Sequence, residues 1–201
     1  MTHSAIAQNP LLIGQGLPPF DQIVPTQVGP AMTHLLSELE ASLTQLEATV
    51  QPTWDGLVEP LQAIEERLRW SWGIVGHLMG VKNSPELREA YESVQPQVVE
   101  FYNRFSQSRP LYDAFKTIRS ADTWSTLAEA QKRIVESALR SAELSGVGLD
   151  GAPKERFNAI QLELANLATQ FSNHVLDATK AFSLILKDKD EVKGLPASLL
   201  G

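Results

Sequence analysis

Apolar residues recur along most of this chain at helical spacing. Val28, Met32, Leu35, Leu39, Leu43, Leu46 and Val50 advance by three or four residues at each step, which places them on one face of a helix. Pro30 falls in its opening turns, where a missing N–H costs little. A second stripe follows Thr53, whose hydroxyl suits an N-cap: Leu57, Leu61, Ile64, Leu68, Trp72 and Val75. Pro60 lies inside it and predicts either a kink or the true start of that helix. Ser84-Pro85-Glu86 supplies a cap, a proline at the first helical position and an acid near the positive end of the dipole. The helix it opens carries Leu87, Tyr91, Val94, Val98, Phe101 and Phe105, with Pro96 as a predicted kink.

The pattern continues through the second half. Arg109-Pro110 opens a short helix with Leu111, Phe115 and Ile118. Asp122-Thr123-Trp124 is expected to open the next, through Leu127, Ile134, Val135, Ala138, Leu139 and Ala142, ending at Ser145-Gly146. A long helix from about Pro153 to about Lys180 would bury Phe157, Ile160, Leu164, Leu167, Phe171 and Val175. On that reading Leu164→Ala and Leu43→Ala are both core truncations, each costing roughly 2–5 kcal/mol. Beyond it the period drops to two, so Ala181–Lys187 reads as a strand with Phe182, Leu184 and Leu186 on one side. No second strand is apparent in 1–180 to pair with it, which leads us to expect that the polypeptide continues past residue 201. At the other end, three prolines and two glycines in residues 9–24 exclude a regular helix and predict an extended arm anchored by Leu17, Phe20 and Ile23.

The expected fold is therefore all-α: an elongated antiparallel bundle of about six helices. Residues 1–24 would form the arm, 25–180 the helical domain, and 181–201 the strand and start of a following element. No internal repeat of 30–45 residues supports a solenoid. The chain has 201 residues, 43% of them hydrophobic, which is enough for a core and excludes wholesale disorder. Net charge is −7, so no basic nucleic-acid footprint exists. The absence of cysteine rules out disulfides and thiolate metal sites within these residues and suits a reducing compartment. Met1–Gln15 lacks the basic and apolar regions of a secretory signal, and no apolar run reaches 18 residues.

Candidate chemistry is sparse. His3, His34, His77 and His174 include no pair at the i, i+4 spacing of a helical zinc site, and each reads as a surface or hydrogen-bonded histidine. His77 sits at a glycine-bounded helix end, where a cation is favoured. Glu65-Glu66 and Glu86-x-x-Glu89 would serve acid–base chemistry only if buried side by side. Gly14-Gln-Gly16 runs into Leu-Pro-Pro and cannot cradle a phosphate. Lys132, Arg133 and Arg140 are a small basic cluster. Trp72 belongs to the core stripe, but Trp70, two residues away, must face a different surface, either partly buried by its neighbours or turned to a ligand groove or a further domain.

Several strings nevertheless have a distinct character. Asn9-Pro-Leu-Leu12, Leu17-Pro-Pro-Phe20, His77-Leu, the run from Val81 to Tyr91, Ala138-Leu-Arg140, Glu143-Leu-Ser-Gly146, Ser172-Asn, Val175-Leu-Asp-Ala-Thr179 and Gly194-Leu-Pro196 occur in order across the chain. Together they resemble the N-terminal region of the thimet-oligopeptidase-like zinc metallopeptidases. The resemblance implies a longer, mostly helical parent that hydrolyses short peptides in the cytoplasm, inside a deep channel. It also implies zinc held by a His-Glu-x-x-His helix and a downstream glutamate in the C-terminal half. No such motif occurs here, so no catalytic, cofactor-binding or metal-ligating residue is assigned to this chain, and its implied partner is the catalytic region. The implied role is non-catalytic, a wall and scaffold for the channel. The alternatives are a free-standing helical module that binds a peptide or protein, and a bundle that binds a small ligand in an acidic groove.

Overall fold

The computed structural model describes residue 6 and residues 8–200. Among these residues the fold is an all-α bundle with six long helices. They are α1 (Val28–Thr49), α2 (Glu59–Val81), α3 (Pro85–Ser106), α4 (Arg109–Ser120), α5 (Glu129–Leu144) and α6 (Gly151–Ala181). A helical turn, α7 (Ala197–Leu200), follows. The chain forms two compact units, one up to Ala165 and one from Asn166 onward, with the division inside α6.

The predicted α1 stripe is the centre of the first unit. Val28, Met32, Leu35, Leu39, Leu43 and Leu46 are all buried, and α1 packs on both α2 and α3. Helix α2 contributes Ile64, Leu68, Ile74, Val75 and Leu78 to the same core, and α3 contributes Leu87, Val94, Val98 and Phe101. Trp72 is half-buried and stacks on Tyr91 with ring centroids 4.4 Å apart. The two caps predicted by sequence are present: Ser84 Oγ accepts from Leu87 N at 3.2 Å, and Thr53 Oγ1 accepts from Gly56 N at 3.0 Å. Pro60 falls at the second position of α2, so it marks the start of that helix. A π-type turn over Trp54–Val58 leads into it. Helix α3 continues through Pro96.

Four expectations are corrected. Residues 9–24 are not an extended arm: they fold into 3-10 turns at Pro10–Leu12 and Phe20–Gln22, with Gly14 and Gly16 between them at φ +73°. Leu17 is 94% exposed and anchors nothing; Leu11, fully buried, and Ile23 are the anchors. Second, α5 opens at Glu129, not at Asp122. The hydroxyls of Ser125 and Thr126 donate back to the carbonyls of Asp122 and Thr123, which favours the tighter 3-10 turn there. The end of α5 is as expected: Gly146 adopts φ +83° and Val147 N reaches back to Ala142 O at 3.0 Å.

Third, no strand occurs among the described residues, and 182–187 carry no regular structure. A strand is stable only when its backbone groups find a ladder, and no described segment offers one. Fourth, the stripe assigned to the core on α6 is half-buried at Phe157 and Ile160 but lies open from Leu164 onward. Leu164 is 54% and Phe171 69% exposed, with Leu167 and Val175 similar, while Thr169 and Asn173 are buried.

Leu43→Ala should therefore cost about 2–5 kcal/mol in equilibrium denaturation, and Leu164→Ala under about 1 kcal/mol. Equal midpoints for the two would contradict this placement. Gly56→Ala is expected to destabilise by about 1–3 kcal/mol. An added Cβ would sit 2.7 Å from Gln51 Cβ and 2.9 Å from Gln51 O, and so would disrupt the turn that feeds α2.

Candidate functional site

The most developed polar site of the first unit joins α1, α3 and α4. Glu47 stands near the C-terminal end of α1 with its side chain only 13% exposed. Arg104, in the last turn of α3, donates Nη1–H to Glu47 Oε1 at 2.6 Å and Nη2–H to Oε2. Its Nε also lies 3.4 Å from Glu40. Ser108 donates its hydroxyl to Glu47 and caps α4, accepting from Leu111 N at 3.5 Å. One carboxylate thus fixes the exit of α3 and the entry of α4 against α1. The Arg104 hydrogen bonds hold the Glu47 carboxyl below the usual carboxylate range, against burial, which pushes it up. The Ser108 hydroxyl and the charge of Arg104 add to the lowering. The same hydrogen bonds raise the Arg104 guanidinium.

A groove of about 630 Å³ opens beside this cluster, with Val99, Lys154, Asn158 and Leu162 among its lining residues. Gln107 is buried at its base and donates Nε2–H to Ser145 O at 3.0 Å and to Asn158 Oδ1 at 2.8 Å. Arg109, which also lines the groove, pairs with Asp150 at 2.5 Å. A second groove of about 610 Å³ runs where α2 approaches α4 and α5, over Leu61, Phe115, Ile134 and Ala138, with Glu65, Glu66 and Arg69 on its rim. Trp70 also lines it. The indole N–H of Trp70 donates to Gly16 O at 3.3 Å, so the N-terminal turns supply part of the surface that its helical position required.

The residues singled out by sequence are scattered. His34 approaches Glu38 at 3.3 Å, and Glu38 in turn takes Arg67 of α2 at 2.8 Å, a link between helices. His77 rests its ring 5.3 Å from that of Phe20. His174 is exposed, and His3 lies outside the described residues. Glu65, Glu66, Glu86 and Glu89 are exposed, so the burial that acid–base work requires is lacking. Lys132 pairs with Glu129 at 2.8 Å, while Arg133 and Arg140 are exposed. Among the described residues no three His, Cys, Asp or Glu side chains come together as metal ligands, so the donors here do not fit a zinc ion. What the site can do is hold helices in register and shape a surface. The Glu47 cluster was missed in the sequence, where the only local signal is Ser108 before Arg109-Pro110; its partner lies 61 residues away.

Glu47→Gln should lower stability by about 1–2 kcal/mol, a range kept small because Arg104 is more than one-third exposed. Because the folded carboxyl is lowered, its contribution is complete above the ordinary glutamate value of about 4.3. It declines as pH falls below that value and is gone once pH has passed the depressed folded value. Denaturation of wild type and Glu47→Gln at descending pH checks this: the gap between them should close in acid.

Comparison with known proteins points to one family. Residues 32–154, more than half the chain, match the family model described as "Neurolysin/Thimet oligopeptidase, N-terminal domain". The chain is 47% identical over 201 residues to the organellar oligopeptidase A, chloroplastic/mitochondrial, of Arabidopsis thaliana, covering all of this chain and 25% of that protein. It is 47% identical over 200 residues to a probable cytosolic oligopeptidase A of the same plant, again covering all of this chain and 28% of the relative. With oligopeptidase A of Escherichia coli (strain K12) the identity is 41% over 193 residues, 96% of this chain and 28% of that enzyme. The chain thus spans about a quarter of the length of the relatives it matches. By the extent of these matches, the chain belongs to the neurolysin/thimet oligopeptidase N-terminal domain family.

Proposed function

We propose that this chain is the N-terminal, non-catalytic helical region of a zinc metallo-oligopeptidase that hydrolyses short peptides, and that it forms one wall of the substrate channel. The observation that carries this reading is the match of the whole chain to a quarter of the length of oligopeptidases. Residues 1–24 and 25–180 then make the wall, and 181–201 lead toward the catalytic region. The zinc, held by residues of that region, would supply Lewis-acid activation of the peptide carbonyl and of water. The residues of this chain do different work. The α1–α2–α3 core gives a stiff scaffold, the Glu47–Arg104–Ser108 cluster locks the α3–α4 corner, and the bundle limits by sterics which peptides fit. A wall needs shape and rigidity, and reactive groups are not required of it. A cytoplasmic setting is part of the reading, supported by the probable cytosolic relative and by the absence of cysteine.

The full-length gene product should cleave quenched short peptides, lose that activity to a metal chelator, regain it with zinc, and leave folded proteins intact. A full-length protein that is folded and zinc-loaded yet inert toward short peptides would contradict the proposal.

A further inference from the structure

Helix α6 presents its side chains in the reverse of the usual sense. At ~100° per residue, Leu164, Leu167, Phe171 and Val175 fall within an arc of about 80° on one face, and Thr169 and Asn173 lie across the helix from them. The polar pair is buried and the apolar four are about half exposed or more. The open stripe continues into an apolar tail, in which Phe182, Leu184 and Ile185 are each about 70% exposed or more. Four large apolar side chains aligned over three turns of one helix form the kind of surface that marks an interaction site.

We infer that this stripe is the seat of the remaining part of the same polypeptide, the catalytic portion. The inference rests on the function proposed above. Two observations select that occupant. The relatives are about four times as long as this chain, so a large body of protein is available to cover the surface. The stripe also holds only aliphatic and aromatic side chains, which suits a permanent, dry interface within one folded protein better than contact with a charged ligand. The apolar face of this helix is thus reserved for the catalytic region.

Single cysteines in the full-length protein test this, because residues 1–201 contain none of their own. Leu167→Cys and Phe171→Cys are compared with Gln170→Cys, an exposed position off the stripe, with Val175→Cys in reserve should Phe171→Cys fail to fold. Modification by a maleimide is mapped to this segment by mass spectrometry, and peptide cleavage by each variant reports that it is folded. The stripe positions should react at least about tenfold more slowly than Gln170→Cys, the protection of a surface freed only by local opening. Equal rates in a peptide-cleaving protein would overturn the inference. So would protection that vanishes on dilution, which points to a second copy, or that appears only with added peptide, which points to a substrate subsite. A protected stripe in a protein that cleaves no peptide would instead leave the seat standing and remove the proposed activity.

Discussion

Burial of the α1 face from Val28 to Leu46 is the constraint from which the first unit follows, because both α2 and α3 are placed by packing on it. Fully burying one such leucine is worth roughly 1.5–3 kcal/mol, and α1 buries several in succession. A rod with that much apolar area on one face requires cover, and the short connection at Lys82–Ser84 brings α2 and α3 back as neighbours to supply it. The polar features act within this frame. Glu47 lies near the end of α1, and its bonds to Arg104 and Ser108 set the corner at which the chain leaves the core and begins α4.

The parts of this architecture that were legible in the sequence are those governed by local rules. The α1 stripe, the Ser84 and Thr53 caps and the Gly146 stop each depend on residues within a few positions of one another, and each is found where periodicity and capping chemistry place it. Leu17 and the opening of α5 were misread because turn chemistry competes with periodicity: glycines on either side of Gln15 and back-bonding hydroxyls at Ser125 and Thr126 decide those segments. Glu47 could not be read at all, since nothing near it in sequence announces a partner 57 residues away. The grooves share that limit, because Leu61, Phe115 and Ile134 meet only once three helices are assembled.

Helix α6 is a different case. Its periodicity is sound, and it is a helix over 31 residues. What the pattern could not state is which body the apolar face belongs to. Periodicity reports that a face will be covered; it does not report by what. An amphipathic helix whose greasy side faces outward is therefore consistent with a correct reading of its pattern and a wrong reading of its address. The absent strand at 182–187 is parallel to it: alternating apolar residues form a strand only where another strand receives their backbone groups.

On the proposed function, these features form a helical scaffold and the chemistry belongs to the rest of the polypeptide. Incubating the purified 201-residue chain, freed of contaminating proteases and with zinc added to the buffer, with a fluorogenic short peptide addresses that claim most directly. The account predicts no hydrolysis above the buffer rate. Chelator-sensitive turnover that co-purifies with this chain would contradict it.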